Sequence, residues 1–228
     1  MEATSPSAAG TMIGAVVLDA FGTVVRIKRR LNPYRELIRE GRRQGCDLTS
    51  DGTHFMMTTN LSLVEMASQL GIYLSPAKRQ ELTRALELEL ASIEPFPDAL
   101  EAMSRLQGAG VKLGICSNLT SPYGPVIKAL FPNLDGYAFS YEVGAIKPNP
   151  IIYQAICNQI GIEPGHHFSN GMARALMIGD SKKCDQDGPR LIGMMGLHLD
   201  RKGQGAINDL TRFADLVIDH NRKSSPHK

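Results

Sequence analysis

The chain has 228 residues, 43% hydrophobic and 21% charged, which suits one well-buried core with a modest accessory unit and excludes a disordered or low-complexity protein. Twenty-five basic against 23 acidic residues leave a formal charge of +2, so the overall balance gives no footing for nucleic acid or a membrane surface as partner. No apolar run approaches the roughly 20 residues needed to cross a bilayer.

Residues 1–11 are small and polar, with no charged stretch leading into an apolar core of signal-peptide length, and they read as a flexible tail. The apolar run 15–18 then opens into Asp19 and a glycine turn, as a buried parallel strand does when it delivers its C-terminal end to a site. Basic residues crowd the next stretch, Arg26, Lys28, Arg29, Arg30, Arg35, Arg39, Arg42 and Arg43, with Glu36 and Glu40 against them. They form either a solvated helix face or a rim that attracts an anionic substrate.

Residues 31–94 read as helices only. One helix spans 61–70 and stops at Gly71, and Ser75 with Pro76 starts another. This segment is expected to be an inserted helical cap, with Glu94, Pro95, Phe96 and Pro97 as a stiff return linker.

Strand and helix patterns then alternate. Helix 98–107 precedes strand 112–116, which ends in Ser117; helix 150–160 precedes strand 175–178, which ends in Gly179 and Asp180. Runs 194–199 and 216–218 are weaker strand candidates, and residues 221–228 a second tail. The expected fold is α/β, a Rossmann-like parallel sheet core from residues 12–30 and 95–220 around the cap at 31–94. Ligands bind beyond the carboxyl ends of such strands, where Asp19, Ser117 and Asp180 converge.

Other reactive residues carry plainer readings. Cys46, Cys116, Cys157 and Cys184 form no C-x-x-C pair, which suggests neither a zinc knuckle nor a disulfide framework and fits a reducing cytoplasm. Cys116 reads as a small buried hydrophobe, Met56, Met57, Met66 and Met103 as core packing, and His54, His166 and His167 as surface residues.

Four segments taken together carry a resemblance: Asp19-Ala20-Phe21-Gly22-Thr23, Cys116-Ser117-Asn118, Ile146-Lys147-Pro148, and Gly179-Asp180-Ser181 followed by Asp185 and Gly188. In this order and spacing the sequence resembles the haloacid dehalogenase superfamily of hydrolases, from residue 13 to residue 218. The resemblance implies that Asp19 is a nucleophile that becomes transiently esterified. It implies Mg2+ held by Asp19, Asp180 and the backbone carbonyl of Phe21, the all-oxygen set that magnesium prefers. Ser117, Asn118, Lys147 and Thr23 would bind a small anionic substrate, with Ser117 and Lys147 also acting in catalysis. Asp185 and Ser181 would stand behind the metal ligands. Asp185 would orient Lys147 or a metal-bound water, or else simply cap a helix.

One position departs from the pattern. Phosphatases of the superfamily usually carry a second Asp two residues after the nucleophile, as the proton donor to the leaving alcohol; here that residue is Phe21. Its 2-haloacid dehalogenases carry an aromatic there, displace halide without a metal, and hold the substrate with an Arg, for which Arg26, Arg35, Arg39 and Arg42 are candidates. A magnesium-dependent phosphatase is the leading reading. A dehalogenase, or a catalytically impaired member that binds a ligand or partner, is the alternative. The sequence leaves oligomeric state open.

Overall fold

The computed structural model describes residues 12–48, 50–164, 173–203 and 205–224. Residues 1–11, expected to be a tail, and His166 and His167, expected at the surface, lie outside the described residues. In chain order the elements are β1 (Ile13–Leu18), β2 (Val25–Ile27), α1 (Pro33–Arg43), α2 (Ser50–Thr58), α3 (Leu63–Gln69), α4 (Pro76–Leu90), β3 (Ile93–Pro95), α5 (Pro97–Gly108) and β4 (Lys112–Ser117). They continue with α6 (Tyr123–Leu130), β5 (Gly136–Phe139), α7 (Ser140–Val143), α8 (Pro150–Ile160), β6 (Arg174–Gly179), a π-helical turn (Lys182–Asp187), α9 (Gly188–Arg190), β7 (Met195–His198) and α10 (Leu210–Ser224).

Five strands form one parallel sheet in the order β5-β4-β1-β6-β7. Central β1 shows why it is there: Ala15, Val16, Val17 and Leu18 are all fully buried, as a strand covered on both faces requires. Its side chains alternate between two cores. Val16 and Leu18 pack with residues of α5 and α10, whereas Ala15 and Val17 pack with Ile152, Tyr153 and Ile156 of α8. The order reverses at β1, since β4 lies on one side and β6 on the other, and this switch point opens a crevice at the strands' carboxyl ends.

Between β2 and β3 the chain is helical throughout. Local signals set these helices: Ser62 and Glu65 form a reciprocal capping box on α3, and Ser75 caps α4 with Pro76 in its first turn. The chain enters and leaves this helical segment through an antiparallel ribbon that pairs Val25 with Pro95, Arg26 with Glu94 and Ile27 with Ile93. Glu89, near the end of α4, is 3% exposed, and its carboxylate accepts from Leu31 N (2.5 Å), Asn32 N (2.6 Å) and the Tyr123 hydroxyl (2.7 Å).

Three expectations change. Residues 216–218 are not a strand but part of α10, which buries Phe213, Ala214 and Val217 and exposes Leu216 in helical rhythm. The same helix runs to Ser224, so residues 221–224 are not a tail, and Asn221 hydrogen-bonds both backbone groups of Ile13. The return linker is partly strand β3.

Candidate active site

Asp19 leaves β1 with its backbone N–H on Ile178 O (3.0 Å), so its carboxylate stands over the sheet's central strands. Its Oδ1 accepts from Ser117 Oγ at the end of β4 (3.0 Å) and from Lys147 Nζ (2.6 Å). Lys147 is 4% exposed, and its ammonium also donates to Asp185 Oδ1 (2.7 Å) and Cys116 O (2.9 Å). All three ammonium protons are therefore placed. Burial alone would depress this lysine's pKa, but Asp19 and Asp185 outweigh it and raise the value above the ordinary range.

Asp185, 1% exposed, sits in the π-helical turn and takes Ser181 N on its other oxygen (2.9 Å). Ser181, not Asp185, is the cap of that turn, accepting from Cys184 N (3.2 Å). Asp180 follows β6, and its N–H donates to Thr23 Oγ1 (3.1 Å). Thr23 is wholly buried, so its hydroxyl ties the first motif to the last and does not line the crevice where it was expected to meet substrate.

Asp19, Asp180 and Asp185 each bring an oxygen within 4.8 Å of the others. Asp19 and Asp185 share the Lys147 ammonium and Asp180 stands beside them without an ion pair to it, so three crowded carboxylates face one cation. Burial and the charge of Asp19 raise the pKa of both Asp180 and Asp185, opposed by Lys147. Asp185 has both oxygens committed within the protein, which leaves Asp19 and Asp180 as the pair able to hold a divalent cation. Two glycines permit this crowding. A Cβ on Gly22, whose φ is +82°, would lie 2.2 Å from Asp180 Oδ2, and one on Gly179 would lie 2.3 Å from Asp185 Oδ2.

The Asn118 side chain grips both backbone groups of Lys147, accepting from its N (2.7 Å) and donating to its O (3.0 Å), and so aims the lysine. Beside Asn118 lies a cavity of about 260 Å³, walled by Phe21, Leu119, Thr120 and Tyr123 on the sheet side and by Tyr34 and Met57 of the helical segment. Met57, expected to pack in the core, instead lines this cavity, whereas Met56, Met66 and Met103 are buried in the core. Arg30 and Arg35 also line this space, whereas Arg26 pairs with Glu94 and Arg39 with Glu36. Cys116 is fully buried, and burial pushes its thiol up to about 12, in keeping with a packing role.

The sequence reading missed Arg201, which lies beyond β7. Its guanidinium donates to the carbonyls of Gly22 (3.2 Å) and Thr23 (2.6 Å), is clamped by Asp98 (2.9 and 3.1 Å), and lies 4.0 Å over the Phe96 ring. It fixes the loop that carries Asp19 to the point where the helical segment returns. Arg201→Lys keeps the charge but loses the fork. The expected result is a kcat lower by up to roughly 10², the scale of a 1 Å misplacement, with KM little changed. A purely structural role would lower the melting temperature without changing kcat per folded molecule.

Comparison with known proteins agrees with this geometry. A family model described as haloacid dehalogenase-like hydrolase matches residues 13–189. A curated protein of Mycobacterium tuberculosis named as a phosphatase is 28% identical over 146 residues, which are 61% of this chain and 62% of that protein's length. The fold is similar to a HAD phosphatase from Thermococcus onnurineus (TM-score 0.61, 21% identity, 90% of this chain and 98% of that one). It is equally similar to a 2-haloacid dehalogenase from Pseudomonas syringae (TM-score 0.61, 15% identity, 91% and 99%). With the strand order, the four convergent segments and the family match all in agreement, the chain belongs to the haloacid dehalogenase-like hydrolases.

Proposed function

We propose that this hydrolase is a magnesium-dependent phosphatase acting on a small phosphorylated anion, with Asp19 as the nucleophile. The observation that carries the reading is the crowding of Asp19, Asp180 and Asp185 around a site whose one ammonium, Lys147, pairs only with Asp19 and Asp185, a shortfall of positive charge that one divalent cation would offset. Asp19, Asp180 and the carbonyl of Phe21 would hold the ion, which when bound offsets charge on the attacking carboxylate and the phosphoryl oxygens. Ser117 and Asn118 bind the transferring group, and Lys147, aimed by Asn118 and Asp185, holds the nucleophile's carboxylate and neutralises the intermediate. The name of the curated relative supports phosphate as the substrate group. Four free cysteines suit a cytoplasmic setting, and among the described residues no helix is long and apolar enough to cross a membrane.

Chelation tests this directly. Phosphatase activity is expected to vanish with EDTA and to return with added magnesium. Turnover of 2-chloropropionate that ignores the chelator would establish instead the second reading, dehalogenation, which Phe21 favours because a halide leaves without a proton. Failure on both substrate classes by a folded protein would leave a ligand-binding member.

A further inference from the structure

We propose, building on the phosphatase reading above, that the substrate is a small aryl phosphate whose leaving group sits in the cavity beside Asn118 and departs as a phenolate. Size comes first. A space of about 260 Å³ holds roughly nine waters at 30 Å³ each, which is room for one substituted ring.

The walls come second. Tyr123 meets Phe21 edge-on, with centroids 5.7 Å apart at 87°, and Tyr34 lies 6.4 Å from Tyr123. Leu119 and Met57 add to an aromatic and aliphatic wall that suits a flat apolar group, with Arg30, Asn32, Arg35 and Thr120 supplying polar groups around it.

Proton supply decides the chemistry. Phe21 has no proton to give. Among the described residues lining the cavity, the sole carboxyl belongs to Glu89, which is committed to three donors. With no free carboxylic acid at hand in this lining, departure as an anion is favoured, and a phenol with pKa about 10 tolerates that far better than an aliphatic alcohol, whose acidity is close to that of water at about 15.7.

Two hydroxyls belong to residues that wall the cavity. Tyr34 Oη and Thr120 Oγ1 are buried and stand close enough for Thr120 to act on the phenol oxygen, and neither is satisfied by any other group. Thr120 is 8% exposed, and burial lifts the Tyr34 phenol to about 12, so it stays a donor at neutral pH. Arg30 and Arg35 add positive charge to the same space.

An Asp19 carboxylate oxygen attacks phosphorus, and the P–O(aryl) bond breaks with its electron pair staying on the aryl oxygen. The phenolate later takes a proton from solvent. Water then attacks the aspartyl phosphate, breaking the bond between phosphorus and the Asp19 oxygen and releasing inorganic phosphate and the free carboxylate, with the water's proton passing to phosphate or solvent.

The test uses the full chain with magnesium, assayed on phenyl phosphates of graded leaving-group pKa and on propyl phosphate, with phenylphosphonate and propylphosphonate as competing inhibitors. The expected result is kcat/KM falling steeply with leaving-group pKa and phenylphosphonate binding at least tenfold tighter than propylphosphonate. Tyr34→Phe and Thr120→Val should each slow phenyl phosphate several-fold and p-nitrophenyl phosphate little, because nitrophenolate needs no donor. Propyl phosphate cleaved as well as phenyl phosphate, or equal inhibition by the two phosphonates, would overturn the aryl assignment and leave the phosphatase reading standing. No turnover of any phosphate by folded, magnesium-loaded protein would overturn both.

Discussion

Asp19→Asn is expected to remove turnover almost completely, by roughly the 10⁶ that loss of a catalytic nucleophile costs in a well-studied serine protease. The amide keeps the size of the side chain and can still accept from Ser117 and Lys147 at Oδ1, so the fold should survive. The substitution also deletes one of three crowded negative charges, which relieves repulsion in the metal-free protein. Circular dichroism and thermal melting check the fold, and a burst or steady-state assay checks the chemistry. Near wild-type activity in the folded variant would remove Asp19 as the nucleophile.

Lys147→Met should produce the largest loss of stability. The ammonium is 4% exposed and serves Asp19, Asp185 and the Cys116 carbonyl, so its removal strands buried carboxylates without a counter-charge. Breaking a buried pair from one side costs about 3–5 kcal/mol, which for a chain of this size lowers the melting temperature by roughly 6–20 °C. Adding Asp185→Asn should recover part of the loss, because one stranded charge goes with it. A melting temperature within about 2 °C of the parent, a shift worth at most ~1 kcal/mol, would show that the ammonium is not the counter-charge that holds the site together.

The central strands and the four convergent segments were legible because each is a local pattern: an uninterrupted aliphatic run followed by a polar turn. The ends of the core were not. Leu216, Val217 and Ile218 form an apolar triplet too short to show its period, and the helical rhythm emerges only with Phe213 and Ala214 included. The ribbon from Val25 to Ile27 and Ile93 to Pro95 is three residues per strand, below the length at which alternation can be seen, and Pro95 argues against a strand. β5 was hidden for the same reason of brevity.

Within the site, the groups named by motif do converge, except that Thr23 is turned into the protein. Arg201 and Glu89 left no local trace. Each acts on backbone groups 57 or more residues away, through contacts that only the folded chain creates. Glu89 stands between two leucines and Arg201 between Asp200 and Lys202, settings shared by many solvent-facing charges.

The three bonds to Glu89 differ in what they join. Those from Leu31 and Asn32 lie within the helical segment and its entry, and travel with it, whereas the bond from Tyr123 crosses to α6 beside the sheet. Motion of the helices away from the strand ends therefore leaves the first two intact and breaks the third. A hydrogen bond to a charged group contributes about 1.5–3 kcal/mol, so this one contact favours the observed placement of the helical segment against α6 by roughly tenfold to 150-fold over any arrangement that lacks it.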